Sequence, residues 1–131
     1  MARALETKLN RRELKRLRAT VEERARLFMQ QNPGYSTPEG AEGNCGIASA
    51  KLIRLLKRKE VDCWPLYCTV PYGPLAHFWP HSWHYVVCVN HLFIVLDPTA
   101  KQVDPKHDPV RFMTLGELQR EWLHYKQSDI R

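Results

Sequence analysis

The chain has 131 residues, 44% of them hydrophobic, and a formal net charge of +6. This length suits one domain with a modest core, so we take residues 1–131 as a single domain without a second lobe. Residues 1–31 contain nine Lys or Arg against four Glu, which places five of the six excess positive charges there. The charge therefore favours an acidic partner for this segment and leaves the remainder almost neutral.

The N-terminal segment has apolar side chains at intervals of three to five residues, which is close to helical spacing. This pattern predicts a helix over 4–31 that is ended by Asn32-Pro33-Gly34, so that residues 1–32 form a basic amphipathic helix and 37–126 the core. The simplest interpretation of its cationic face is contact with solvent, and docking of a partner comes second. Nucleic-acid binding is disfavoured because no aromatic interleaving or recognition motif accompanies the charge.

One cysteine stands between a glycine-rich run and an apolar helical pattern, in the stretch Asn44-Cys45-Gly46. Turn formers over 37–43 precede it, and apolar residues at near-helical spacing follow it. The pattern predicts that Cys45 lies in the first turn of a helix capped by Asn44, where unpaired N–H groups and the helix dipole lower a thiol pKa. Buried packing is the alternative role for any single cysteine.

A hairpin is predicted over 84–97, from two apolar strands joined at Asn90-His91. If those two residues form the loop, His84 lies directly opposite Asp97. Opposed Cβ atoms are about 4.5–5.5 Å apart, so the carboxylate can hold one imidazole nitrogen while the other takes a thiol proton. The hairpin therefore predicts a general base together with the acid that orients it.

These motifs resemble those of the papain-like and transglutaminase-like thiol enzymes: Asn44-Cys45-Gly46, a His entering a strand, and Asp97-Pro98-Thr99 closing the next strand. The gaps of 39 residues from Cys to His and 13 from His to Asp are especially similar to compact papain-fold toxin and effector domains of bacteria. The resemblance covers about residues 37–100. It implies that Cys45 is the nucleophile, His84 the general base and Asp97 the orienting acid of a glutamine deamidase, the activity typical of that group.

A rival candidate for the general base lies three residues before His84. Transglutaminase-like enzymes usually have the catalytic His two residues before a Trp, and His81 stands in that relation to Trp83. We prefer His84 because it heads an unbroken strand and pairs with Asp97 without a bulge or a longer turn. A slip of one residue would reverse the facing of every side chain.

The oxyanion hole is the second departure from the family pattern. Papain-like peptidases resemble one another in a Gln about six residues before the Cys, and Glu39 occupies that place here. A carboxylate would repel an oxyanion. The expected positioning groups are therefore Asn44 and the backbone N–H of Cys45, together with a second donor that the sequence does not identify.

Residues 63–70 alternate in polarity and predict a half-buried strand, which Pro65 places at a sheet edge. The aromatic, proline-rich run 71–80 follows, and Trp79 and Trp83 are candidates for the substrate rim, with a loop packed on the core as the equal alternative. After a turn-rich connection, Thr114-Leu115-Gly116-Glu117 has the form of a capping box. It predicts a C-terminal helix with Leu118, Trp122 and Tyr125 on one face.

Six His and four Cys raise the question of a metal site. His77, His81 and His84 are spaced four and three apart, but Pro80 disfavours a shared helical face. We therefore predict neither a metal nor another cofactor. The three remaining cysteines are predicted core or strand residues: Cys63, Cys68 and Cys88.

The N-terminal sequence lacks the apolar region of a secretory signal, and no run approaches the length of a membrane span. We expect synthesis in a reducing cytoplasm with free thiols, no membrane span, and delivery into the cytosol of a target cell by a route without a Sec-type signal.

The fold expected from these elements is α+β, with a papain-like minimal core in which the Cys45 helix packs on a small antiparallel sheet. The expected reaction is acyl transfer from an amide of a protein substrate, with deamidation of a glutamine side chain favoured over peptide cleavage or transglutamination by the same triad. A non-catalytic module that binds an acidic partner through the first helix is the alternative of another class. The expected partners are a glutamine-bearing protein and an inhibitor or immunity protein.

Overall fold

The computed structural model describes residues 8–70, 82–121 and 124–127. In these residues the helices are α1 (Arg11–Gln31), α2 (Pro38–Ala41), α3 (Cys45–Lys57), α4 (Ala100–Val103) and α5 (Leu115–Glu121), with a 3-10 turn at Pro33–Ser36. The strands are β1 (Cys63–Val70), β2 (Ser82–Val89), β3 (Ile94–Asp97), β4 (Arg111–Thr114) and β5 (His124–Gln127). The chain is therefore α+β, as predicted.

The five strands form one antiparallel sheet in the order β4-β3-β2-β1-β5. The longest pairing joins β1 to β2, from Cys63 opposite Val89 to Val70 opposite Ser82. Strand β2 lies in the centre, so its side chains are the ones most easily withdrawn from water on both faces of the sheet.

Two apolar clusters cover the two faces of this sheet. One joins α1 and α3 to the strand residues Cys63, Val87, Val89, Ile94 and Leu96. The other joins Leu118 of α5 to alternate residues of the same strands: Leu66, Cys68, Val86, Cys88, Val95 and Met113. The period-two alternation of the strands thus separates two cores, and Cys63 and Cys68 belong to different ones.

The first helix begins at Arg11, so the predicted start at residue 4 is wrong for the part of the segment that the structure describes. Asn10 caps the helix: its Oδ1 accepts the Glu13 N–H at 2.8 Å, while Glu13 Oε1 accepts the Asn10 N–H at 2.9 Å. This reciprocal capping box fixes a helix start inside the apolar repeat. The predicted apolar face is confirmed at Val21, Ala25 and Phe28, which are buried.

Strand β1 is not at the sheet edge, contrary to the prediction from Pro65, because β5 pairs along its other side. The pairing with β5 covers only Leu66 to Thr69. Pro65 therefore lies where β1 has a single neighbouring strand, and the missing proline N–H removes no hydrogen bond to β5.

The C-terminal helix is shorter than predicted. Its capping box is present, since the Thr114 N–H donates to Glu117 Oε1 at 2.8 Å and the Glu117 N–H donates to Thr114 Oγ1 at 3.0 Å. However, α5 ends at Glu121, and Tyr125 lies in β5 rather than on the helix. Pairing of β5 with β1 supplies hydrogen bonds that a continued helix would not make with the sheet.

No helix in the part of the chain that the structure describes combines the length and the apolar character needed to cross a bilayer.

Candidate active site

His84 and Asp97 form a buried ion pair. The Nε2 of His84 lies 2.9 Å from both carboxylate oxygens of Asp97, and each residue is 1% exposed. The Thr99 N–H donates to Asp97 Oδ1 at 3.1 Å, which holds the carboxylate from its other side. The contact predicted from the hairpin is confirmed. Since Asp97 engages Nε2, Nδ1 is the imidazole nitrogen left to meet another group.

The register of the hairpin differs from the prediction. Val87 pairs with Leu96 and Val89 with Ile94, so the loop contains the four residues 90–93 instead of two. Asn90 explains the difference, because its backbone N–H and its Nδ2 bind Asp62 at 3.0 and 2.8 Å instead of closing a tight turn. His84 consequently lies diagonal to Asp97 rather than directly opposite. The slip of two residues keeps both side chains on one face.

Cys45 is the first residue of α3, as the turn formers before it predict. The residues ahead of it are held tightly: a side chain on Gly40 would collide with the carbonyl of Gly34, and Gly43 has a φ of +76°. The predicted cap by Asn44 is wrong. Asn44 occupies the N-cap position, but its Nδ2 donates to the Gly40 carbonyl at 2.7 Å, so its side chain braces the preceding turn.

The Cys45 thiol meets both a side chain and a backbone group of β2. It is hydrogen-bonded to His84 and accepts a hydrogen bond from the backbone N–H of Tyr85. Next to this contact, Ser49 Oγ donates to the Tyr85 carbonyl at 3.2 Å and ties α3 to the same strand. Helix α3 and strands β2 and β3 thus bring Cys45, His84 and Asp97 into one chain of contacts.

The electrostatics of this chain favour a thiolate paired with an imidazolium. Burial raises the pKa of the Cys45 thiol and Asp97 adds to that rise, but the His84 hydrogen bond and charge and the Tyr85 N–H outweigh both, so the pKa lies below its ordinary value. Burial lowers the pKa of His84, but the Asp97 carboxylate and the Cys45 sulfur together raise it to about 10. At neutral pH His84 is therefore protonated, and the Cys45 thiol loses its proton more readily than an ordinary cysteine.

An aromatic pair that the sequence did not predict borders the thiol. Tyr67 lies directly opposite Tyr85 on adjacent strands, and their rings stack with centroids 4.4 Å apart. The pairing depends on the register between β1 and β2, and no short turn fixes that register in the sequence. The sequence feature that could have drawn attention to this pair is the position of Tyr85 directly after His84, the candidate base.

Several predicted residues lie outside the part that the structure describes. His81 and Trp79 are among these, and so is His77. The backbone of Trp83 lies in β2, but its side chain is not among the described ones. Glu39, which stands where the family pattern has Gln, is exposed on α2.

No cluster of three or more His, Cys, Asp or Glu side chains suited to a metal ion occurs among the described residues. The acidic and imidazole groups of the site, Asp97 and His84, are already bound to each other. In comparisons with known proteins, no family model, curated protein or solved structure matches this chain.

Proposed function

We propose that the protein is a thiol-dependent acyl-transfer enzyme that hydrolyses an amide, with the side chain of a protein-bound glutamine as the favoured substrate. The chain of contacts from Cys45 through His84 to Asp97 carries the proposal. It supplies a nucleophile with a lowered pKa, a base in contact with it, and a carboxylate that orients the base. A papain-like origin of this arrangement is part of the same proposal and rests on the sequence motifs.

In the proposed reaction the Cys45 thiolate attacks the carboxamide carbon, and the carbonyl oxygen takes up the negative charge. The Cys45 N–H lies at the start of α3, where the first amides have no partner within the helix, and is a donor for that oxygen. The His84 imidazolium gives its proton to the departing nitrogen, and ammonia leaves. Neutral His84 then takes a proton from water as the water attacks the thioester, which releases the carboxylate and restores the thiolate–imidazolium pair.

The choice of amide is tested with glutamine-bearing peptides incubated with the wild type and with Cys45→Ser. Ammonia release and conversion of Gln to Glu by mass spectrometry, both lost in Cys45→Ser, are the expected results. Parallel samples contain a primary amine. Shortened peptides or amine-linked products in place of deamidation would overturn the deamidase assignment in favour of a peptidase or a transglutaminase. No product from a wild type whose Cys45 is reactive would refute glutamine as the substrate.

The base is tested by the pH dependence of Cys45 alkylation in His84→Ala and His81→Ala, with His91→Ala in the β2–β3 loop as the control. Loss of His84 leaves burial and Asp97 to raise the thiol pKa, so alkylation at neutral pH should fall about 10- to 100-fold. The control should retain the wild-type rate. A comparable fall in His81→Ala with an unaffected His84→Ala would assign the base to His81 instead.

A further inference from the structure

The Tyr67–Tyr85 pair forms a stacked aromatic surface on the sheet. The two residues are directly opposed in the β1–β2 register, and their rings are stacked with an interplanar angle of 24°. Both residues are half-buried, so each keeps some exposed surface. Cross-strand aromatic pairs stabilise a sheet, and a pair of this kind needs no function to exist. Its position relative to the thiol is what distinguishes it.

The surface lies against the residues that carry the nucleophile. The Tyr85 ring packs over Gly46, where an added Cβ would lie 3.7 Å from Cδ2 and 3.9 Å from Cε2. The backbone N–H of Tyr85 binds the Cys45 sulfur. Burial, then Tyr85, then the Cys45 sulfur raise the pKa of Tyr67, which is therefore a neutral phenol near the thiol.

The start of α3 is uncharged. Ile47 is 57% exposed, two residues after the half-buried Cys45. Single exposed apolar residues are common and need no explanation alone. Ile47 is therefore not part of the tyrosine surface, because residues two apart on a helix point about 200° apart around its axis. What the start of α3 contributes is the lack of charge beside the thiol, since no charged side chain stands in the segment 45–50.

We infer that the Tyr67–Tyr85 pair is the specificity-determining surface of the site and selects amides carried on an uncharged hydrocarbon stem that can pack against the exposed part of the stacked rings. This inference rests on the proposed function and deepens it, since the two methylene groups of a glutamine side chain are such a stem. Apolar contact with an aromatic ring favours such a stem over a charged or heavily branched one. Tyr67 is here a binding residue and takes no part in the proton transfers.

The test compares two neutral alkylating agents, iodoacetamide and N-benzyliodoacetamide, on Cys45. Their rate ratio is first measured on N-acetylcysteine to remove intrinsic differences in reactivity. Relative to that ratio, the wild type should favour the benzyl reagent by about tenfold, which is the size expected for one ring contact. Tyr67→Ala should lose the preference, and Tyr67→Phe, which keeps the ring, should retain it.

Two further variants make the result decisive. Tyr67→Thr has a side chain suited to a strand and tests the same loss if Tyr67→Ala does not fold. Phe93→Ala removes an aromatic ring that is 68% exposed in the β2–β3 loop, and it should leave the preference unchanged. The pH profile of iodoacetamide labelling should be the same in the Tyr67 variants as in the wild type, which shows that the His84 contact is intact.

An equal reagent ratio in the wild type and in the folded variants that lack the ring would overturn the inference. So would loss of the preference in Tyr67→Phe to the same extent as in Tyr67→Ala, because the hydroxyl and not the ring would then be responsible. The proposed function fails separately. If the protein shows the ring-dependent preference but converts no glutamine peptide, the deamidase proposal is rejected and the inference about the tyrosine pair stands. If it converts glutamine peptides without the ring-dependent preference, only the inference about the tyrosine pair is rejected.

Discussion

The four cysteines of this chain fall into two kinds, and the contrast shows what makes a thiol reactive. Cys45 begins a helix, is half-buried, and has a pKa below its ordinary value because His84 and the Tyr85 N–H outweigh the effect of burial. Cys63, Cys68 and Cys88 lie in strands, and burial raises the pKa of each, to about 11 for Cys63 and Cys88 and about 12 for Cys68. Withdrawal from water acts on all four. Only Cys45 has donors that reverse its effect.

Cys68 makes the contrast sharper because it lies beside the same ion pair. It is directly opposite His84 in the β1–β2 register, yet after burial the next cause of its raised pKa is the charge of Asp97. Cys45 meets the imidazole end of the pair, whereas Cys68 is affected by the carboxylate end. One buried pair can therefore activate one thiol and suppress another, and the sign depends on which end each thiol faces.

The largest expected effect is the difference in alkylation between these thiols. At about pH 7 the folded protein should react with iodoacetamide at Cys45 at least about 1,000-fold faster than at Cys68, since a thiol with a pKa near 12 is almost entirely protonated and is also buried. Peptide mapping by mass spectrometry over time measures each site. The unfolded protein in urea serves as the control, where all four should react alike. Equal labelling of Cys45 and Cys68 in the folded protein would remove the basis of the contrast.

The second effect comes from the carboxylate. In Asp97→Asn the imidazolium loses its buried counter-charge, so we expect about 3 kcal/mol less free energy of unfolding and slower labelling of Cys45 at neutral pH. Urea denaturation and the labelling assay measure the two changes. Asp108→Asn, an exposed acid, should change the stability by less than about 0.5 kcal/mol. Wild-type values for both quantities in Asp97→Asn would mean that the pair neither holds charge nor supports the thiolate.

The third effect is a pH dependence of the free energy of unfolding that arises from His84 and that an opposite contribution from Cys45 offsets in the wild type. His84 has a folded-state pKa of about 10, above its unfolded value near 6.5, so the stability it contributes is complete below about pH 6.5 and is lost as the pH rises towards 10. Cys45 acts in the opposite sense, because its pKa is lowered. Its contribution grows as the pH rises from its folded-state pKa to its ordinary value near 9.0.

In the range where both act, the folded pair and the unfolded chain hold the same number of protons, so the two contributions cancel. Cys45→Ala leaves the His84 contribution alone, since Asp97 still raises its pKa. From the lowered pKa of Cys45 up to about pH 9, the free energy of unfolding should then fall by up to about 1.4 kcal/mol per pH unit relative to the wild type. The double variant Cys45→Ala/His84→Gln should restore the flat profile. Parallel profiles for the wild type and Cys45→Ala would show that the proton is not shared as described.

The contact between His84 and Asp97 was predictable because it depends on strand periodicity. The loop contains four residues instead of two, yet an even shift leaves every side chain on its original face, so the prediction survived an incorrect register. The position of Cys45 at a helix start was predictable from local turn formers alone. Both features depend on rules that act over a few residues.

Other features depend on distant pairing and were missed. Strand β5 forms against Leu66 to Thr69, far away in sequence, and the helical pattern of the segment that follows α5 gave no sign of it. The Tyr67–Tyr85 stack depends on the register between β1 and β2, and these two strands are joined by a long connection. Even Asn44, a good capping residue by type, turns its side chain back to Gly40 because the preceding turn offers a carbonyl at hydrogen-bonding distance.

The smallest expected effect concerns the role of Cys68 itself. Its side chain is fully buried in the cluster that also contains Leu66 and Val86, so Cys68→Ala should remove about 1 kcal/mol of stability by leaving a small cavity. Cys68→Ser should be more destabilising, because its hydroxyl lies in an apolar site. Urea denaturation measures both variants. The rate of Cys45 labelling should stay within about twofold of the wild type in each variant, because Cys68 contributes to core packing and not to the reactivity of Cys45. A tenfold change in Cys45 labelling without a loss of stability would instead show that Cys68 tunes the His84–Asp97 pair, and the division of the thiols into two kinds would no longer hold.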